Sequence, residues 1–192
     1  NGNKRYQPGL AQEAGASGVA GPIVSEAILC GTRDHRLQGA CPTCSQMART
    51  HTYKALGGFD QNLRRSEDTE LSIRAAENDV RFIGIKEPLV HQKMTHSADK
   101  NLEIETKNWL YVLSKHRSVI ERKMSFSFAI SWLYLRHNFQ TQCYKKFTLI
   151  LFKLFLTAPF QTSRKLGLSM PNMGINVAMS KFHRKSVPGN KP

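Results

Sequence analysis

The spacing of hydrophobic positions along the chain predicts a series of helices. Residues 101–117 alternate apolar and polar positions with the period of an amphipathic helix. The apolar stripe consists of Leu102, Trp109, Leu110 and Leu113. Residues 50–56 and 66–78 also predict helices, and Gly57-Gly58 ends the first of them because glycine accepts a left-handed backbone.

Two other apolar stretches are rich in β-branched residues. Residues 80–90, VRFIGIKEPLV, predict a strand with Val80 and Phe82 buried and Pro88 at its edge or end. Residues 21–32, GPIVSEAILCGT, are consistent with either a strand or a short helix that enters the core.

The chain after Lys115 combines apolar, aromatic and basic residues. Residues 124–139 and 144–160 are its two apolar stretches, and neither contains 18 uninterrupted apolar residues. Two interpretations stay open for them. They form helices that lie in the lipid head-group layer, or they form helices that pack on the protein's own core.

Charge is distributed unevenly along the 192 residues. The net charge is +14, and residues 115–192 hold 14 Lys and Arg against one acid, Glu121. This asymmetry predicts an anionic partner, either membrane lipid or nucleic acid. The apolar character of the same region favours lipid, and no RNA-binding or zinc-finger pattern supports nucleic acid.

The beginning of the chain and the cysteines add little chemistry. Residues 1–20 read as loop without a secretory signal pattern, which suggests that the chain is a fragment lacking an N-terminal part. The only close cysteine pair is Cys41 and Cys44, in CPTC, and no second pair completes a zinc pattern. We therefore expect free thiols in a reducing cytosol.

A cluster of acids is the strongest chemical signal in the sequence. Glu67, Asp68 and Glu70 follow the basic pair Arg64-Arg65, at the point where a loop becomes a helix. Acids are favourable at a helix N-terminus, and either Ser66 or Asp68 can serve as the cap. Capping explains one or two acids better than three, so a second function for one of them stays open.

The order of motifs around this cluster resembles the C-terminal half of family-2 glycosyltransferases. The matching segments are ALGGFD (55–60), RRSEDTELSIRAA (64–76) and FIGIKEPLVHQ (82–92), and the resemblance extends over about residues 21–120. It implies an α/β fold class, with residues 21–118 as the acceptor-side half of a Rossmann-like GT-A domain. A helical, basic, membrane-associated region (119–182) and a disordered tail (183–192) would follow.

The resemblance also assigns roles to residues at the acid cluster. Asp68 would be the general base that accepts a proton from the acceptor hydroxyl, and Glu67 would position Asp68 or bind the acceptor. The helix N-terminus favours an ionised Asp68, as a base requires. Arg64 and Arg65 would face an anionic acceptor or the diphosphate of the donor.

Other positions receive roles from the same resemblance. Gly39, Ala40 and Cys41 would line the cleft between donor and acceptor, together with Gln46. Met47 and Arg49 are secondary candidates there. His91 would meet the metal ion or the diphosphate, although a histidine exposed at a strand end is a common alternative.

The implied function is inverting transfer of a sugar from a nucleotide-sugar to a hydroxyl acceptor, a polysaccharide or a lipid-linked glycan. The complete enzyme would use Mg²⁺ or Mn²⁺ and lie on the cytoplasmic face of the membrane. The chain departs from the family because it contains no Asp-x-Asp metal motif and lacks the nucleotide-binding half. We therefore expect weak donor binding by this chain alone. The alternative is a non-catalytic basic module that binds anionic lipids.

Overall fold

The computed structural model describes residues 18–32, 34, 37, 42–84 and 101–169, and helices dominate this part of the chain. Helix α1 spans Pro22–Cys30, α2 spans Thr50–Ala55 and α3 spans Glu67–Glu77. Helices α4 (Leu102–Lys115), α5 (Arg117–Glu121), α6 (Phe126–Gln140) and α7 (Tyr144–Thr157) follow, and α8 covers 159–169. A 3-10 turn, Thr43–Ser45, precedes α2.

The apolar stretch 21–32 forms a helix, which resolves the ambiguity of its sequence. Pro22 stands in the first turn of α1, where its fixed φ suits a helix and its missing N–H costs nothing. Gly21 and Gly31 flank the helix with φ of 81° and 76°. Val24 is completely buried, and Leu29 lies in the main core.

The helices pack into one main hydrophobic core. Helix α1 packs against α3 and α5, and α6 packs against α4 and α7. The most deeply buried residues of this core are Ile73, Val112 and Ile120, from α3, α4 and α5. Because Ile73 lies on the inner side of α3, the core fixes the helix that carries the acid cluster.

The prediction of an α/β fold is wrong, because the described residues contain no strand and no sheet. Phe82 pairs with Val19 in an isolated antiparallel bridge, with N···O distances of 2.9 and 2.7 Å. The Val80 amide instead donates to Ala75 O at the end of α3, and Ile83 is exposed. The β-branched composition of 80–84 therefore produces one bridge and not a ladder, and 85–90 lie outside the described residues.

The helices predicted at 50–56, 66–78 and 101–117 are confirmed as α2, α3 and α4. The apolar stretch 124–139 corresponds to α6, and its side chains Phe128, Trp132 and Leu135 are buried. Packing on the protein's own core is thus confirmed for α6. Helix α7 differs, because Leu154 is its only fully buried residue.

Within the described ranges, none of the helices combines the length and the hydrophobicity needed to cross a membrane. Most of the predicted N-terminal loop, residues 1–17, and the predicted tail, 183–192, lie outside the described residues.

Candidate functional site

The three acids of the cluster occupy the first turn of α3 but have different surroundings. Ser66 precedes the helix in a left-handed conformation, φ 64°, and its side chain makes no capping hydrogen bond. Glu67 and Asp68 are half-buried, whereas Glu70 is completely buried. The structure therefore divides the cluster into one interior acid and two that solvent reaches.

Glu70 is the centre of a buried ionic network. Its carboxylate accepts hydrogen bonds from Arg74 Nε at 2.8 and 2.9 Å and from Arg74 Nη2 at 2.7 Å. Lys115 Nζ lies 2.9 Å from Oε1, and His116 Nε2 lies 3.2 Å from the same oxygen. Burial alone would raise the pKa of Glu70, but the hydrogen bonds from His116, Arg74 and Lys115 outweigh it and lower the pKa to about 2.

Arg74 extends this network to the double-glycine turn after α2. Its guanidinium donates to the carbonyl of Leu56 and, at 2.7 Å, to the carbonyl of Gly58. Gly57 and Gly58 have φ of 78° and 70°, a region that side chains other than glycine rarely adopt. The GGFD segment is thus fixed to α3 by a side chain of α3 itself.

Asp60, the acid of GGFD, is the second carboxylate of this network, because Lys115 contacts both Asp60 and Glu70. Its Oδ2 accepts from Lys115 Nζ and, at 3.0 Å, from the hydroxyl of Tyr111. Its Oδ1 accepts from the backbone amide of Asn62 at 3.0 Å. The Lys115 ammonium and the Asn62 amide hold the pKa of Asp60 well below its usual range. Lys115 therefore bridges two ionised carboxylates, Asp60 and Glu70.

Asp68 has a different set of partners, all from the backbone or from its neighbour. Oδ1 accepts from the Thr69 amide at 2.7 Å and from the Thr69 hydroxyl at 3.3 Å. Oδ2 accepts from the Thr43 amide at 3.2 Å, in an exposed position. The carboxylate is therefore oriented by two amides, one of its own helix and one of a distant loop.

The loop that contacts Asp68 belongs to the segment predicted to line a cleft. Besides the Thr43 bond, Gln46 Nε2 donates to Ser72 Oγ at 3.2 Å. Residues 43–46 consequently lie along the first turns of α3. This places Gln46, one of the predicted binding residues, one helical turn from Asp68.

The remaining predicted site residues are placed as follows. Arg64 is exposed and Arg65 is half-buried, and both follow Leu63, which lies in the core. Met47 and Arg49 are exposed. The predicted residues Gly39, Ala40, Cys41 and His91 lie outside the described residues.

The described residues do not form a metal centre, because nowhere in them do three His, Cys, Asp or Glu side chains come together. Glu70 and Asp60 contact the cationic side chains of Arg74 and Lys115. Because their oxygens already accept from these cations, Glu70 and Asp60 do not fit a bound divalent ion.

Sequence reasoning missed the network around Glu70. The spacing of Glu70 and Arg74, i and i+4, signals a local ion pair. No comparable signal marks Lys115 and His116, since they lie on and after α4 and reach Glu70 only through the tertiary fold.

Comparisons with known proteins place the chain in no group: no family model, no curated protein and no solved structure matches it.

Proposed function

We propose that the chain is the acceptor side of an inverting glycosyltransferase and that Asp68 is its general base. The observation that supports the proposal is that the acids of the cluster have different surroundings. Glu70 is enclosed by three cationic or imidazole groups, whereas Asp68 lies at the surface beside the loop at residues 43–46. The proposal rests on this site and on the motifs around it, and it does not require an α/β fold.

The arrangement leaves Asp68 able to accept a proton. Each carboxylate oxygen has two acceptor positions, and Oδ2 uses one of them for the exposed Thr43 amide. An acceptor hydroxyl can occupy the second position. Glu70 has no such capacity, because it is completely buried and its oxygens face Arg74, Lys115 and His116.

The proposed reaction is a single displacement at the anomeric carbon of a nucleotide-sugar. The acceptor oxygen forms a bond to that carbon, the bond from carbon to the diphosphate oxygen breaks, and the hydroxyl proton moves to Asp68. The nucleoside diphosphate leaves with the bonding electrons from the opposite face, so the sugar inverts its configuration. A base held within hydrogen-bond reach of the hydroxyl typically contributes about 10²–10⁴-fold to such a step.

The network around Glu70 would support this chemistry by holding α3 in place. It fixes the first turn of the helix to the double-glycine turn and to α4. A base works only if its position is controlled to within a fraction of an ångström, and a buried network with all its members paired supplies such rigidity. Glu70 and Arg74 are therefore positioning residues in this proposal.

The other residues near Asp68 have supporting roles in the proposal. Glu67 is half-buried in the same helical turn and would contact the hydroxyl groups of the acceptor. Arg64 is exposed and would attract an anionic acceptor or the diphosphate of the donor. These roles predict larger effects on KM than on kcat.

The experiment that tests the function is a transfer assay with product stereochemistry. The protein, produced from its complete coding sequence, is incubated with nucleotide-sugars and with glycan or lipid-linked hydroxyl acceptors. We expect release of nucleoside diphosphate that depends on the acceptor, and a product of inverted anomeric configuration by NMR. A product of retained configuration, or the absence of transfer with every donor, contradicts the proposal.

A further inference from the structure

Helix α7 has hydrophobic side chains on the face that turns away from the protein. Its inner side packs on the core through Leu154, with Phe147, Ile150 and Leu151 partly buried beside it. Its outward side carries Leu149, Phe152 and Leu156, which are 69%, 66% and 69% exposed. The spacing of 149, 152 and 156 places these three side chains on one stripe.

Lysines accompany this stripe. Lys145 precedes Leu149 by one helical turn and lies in line with the stripe, and Lys146 and Lys153 flank it. All three lysines are exposed. We call the surface formed by Lys145, Lys146, Leu149, Phe152, Lys153 and Leu156 the outer face of α7.

Such a surface requires an explanation, because the outward side of a helix that packs on a core is normally polar. Soluble proteins rarely expose contiguous apolar side chains of this size without a partner. Phe160, at the beginning of α8, is 82% exposed and continues the apolar character beyond α7.

The charges decide which partner fits. No Asp or Glu occurs in the sequence after Glu121, so the lysines of the outer face have no acid on α6, α7 or α8 to pair with. A second copy of the chain, packed through the same face, would bring lysines of like sign together in an apolar interface. Residues 170–192 contain four further Lys and Arg and no acid, and cannot neutralise the face either.

We propose that the outer face of α7 binds the surface of a membrane that contains anionic lipid. Leu149, Phe152 and Leu156 enter the boundary between head groups and acyl chains, and Lys145, Lys146 and Lys153 contact lipid phosphates. Because the inner side of α7 is occupied by the core, the helix lies in the plane of the membrane. The proposal rests on this surface alone and is independent of the chemistry at Asp68.

Vesicle co-sedimentation of the full chain tests it. Vesicles of phosphatidylcholine alone are compared with vesicles of phosphatidylcholine and phosphatidylglycerol, at low and at physiological salt. We expect binding to the anionic vesicles, weakened by salt because the lysine contribution is screened. Binding that is equal on both vesicles, or absent from both, overturns the proposal.

Two sets of variants locate the contact. The triple variant Leu149→Ser, Phe152→Ser, Leu156→Ser should bind anionic vesicles at least about tenfold more weakly than the wild type. It lacks the three apolar side chains whose transfer from water into the membrane favours binding. Its matched control is Met47→Ser, an exposed apolar residue outside this face (87% exposed), which should bind as the wild type does. Unchanged binding by the triple variant overturns the proposal.

The second set of variants tests how much the lysine charges contribute to vesicle binding, separately from the apolar side chains. Lys145→Glu with Lys153→Glu should weaken binding to anionic vesicles at least about tenfold. Lys54→Glu with Lys107→Glu makes the same charge change outside α7 and should have a much smaller effect. Sedimentation equilibrium without lipid tests whether the outer face of α7 binds a second copy of the chain instead. Self-association that the triple serine variant abolishes would assign the face to that second copy and overturn the membrane proposal.

Discussion

The backbone amide of Thr43 donates a hydrogen bond of 3.2 Å to Oδ2 of Asp68, from a position 25 residues earlier in the chain. The proposed base is therefore oriented partly by a loop outside its own helix. Gln46, which donates to Ser72 at 3.2 Å, holds the same loop on α3. This relationship gives the first prediction.

Thr43→Pro should lower kcat about tenfold, because a hydrogen bond to an ionised group is removed and Asp68 loses one of its two orienting amides. Pro42 already has the extended conformation that precedes proline, with φ −68° and ψ 148°, so the substitution fits the backbone. Steady-state kinetics of the transfer reaction measures the effect.

Thr43→Ala is the matched control, because it removes the side chain and retains the amide. We expect it to leave kcat and stability unchanged. Equal losses of kcat in the alanine and proline variants would show that the amide of Thr43 has no part in the reaction.

The second prediction concerns the buried carboxylate. Glu70→Gln should lower the free energy of unfolding by about 3–5 kcal/mol, because Arg74 and Lys115 lose the charge that compensates theirs. Urea denaturation followed by circular dichroism measures the loss.

Glu67→Gln is the control for that experiment, since it removes a half-buried acid from the same helical turn. It should change the free energy of unfolding by less than about 1 kcal/mol. If the two variants are equally stable, the network around Glu70 does not support the fold as described.

The dependence of stability on pH follows from the pKa of Glu70, which falls from an ordinary value of 4.5 to about 2 in the folded protein. The folded state binds this proton less readily than the unfolded state does. The stabilisation is therefore complete above pH 4.5 and is lost as the pH falls towards about 2. Asp60, whose pKa is also lowered, adds to the loss in the same direction.

The urea concentration at the midpoint of unfolding should fall more steeply with decreasing pH for the wild type than for Glu70→Gln. The stability difference between the two proteins should consequently narrow as the pH decreases. A constant difference would mean that Glu70 is not ionised in the folded protein.

The double-glycine turn provides a fourth prediction. Gly58 has φ 70° and open space where a Cβ would stand, so Gly58→Ala tests backbone strain without a steric clash. The substitution should cost about 1–2 kcal/mol of stability. Gly58→Asn should cost less, because asparagine adopts the left-handed region more readily than alanine. Equal stability of the three proteins in thermal unfolding would contradict this.

The sequence predicts those parts of this structure that depend on interactions between residues close together in the chain. Helix α4 follows from its own apolar stripe, and Asn101 caps it by accepting from the Glu103 amide at 2.8 Å. Residues 80–84 have the composition of a strand, but a strand also needs a partner along its length. The described structure offers only Val19 opposite Phe82.

The candidate site shows the same limit. The motif order points to Asp68, but nothing in the sequence shows that Glu70, two positions later on the same helical turn, has different surroundings. What separates them is His116 and Lys115, which reach Glu70 from α4 across 46 and 45 residues of sequence. That contact exists only once the helices have packed.

The measurement that tests the central claim most directly is the single-turnover rate of sugar transfer by Asp68→Asn. The variant keeps the size and the hydrogen-bonding oxygen of the side chain but cannot act as a carboxylate base. Glu103→Gln is the matched control, because Glu103 is an exposed acid in the first turn of α4. Donor affinity, measured separately, distinguishes the chemical step from binding.

We expect Asp68→Asn, in the protein from the complete coding sequence, to slow transfer about 10²–10⁴-fold while donor affinity and unfolding temperature stay unchanged. Glu103→Gln should transfer at the wild-type rate. A rate for Asp68→Asn within about twofold of the wild type would contradict the assignment of Asp68 as the base.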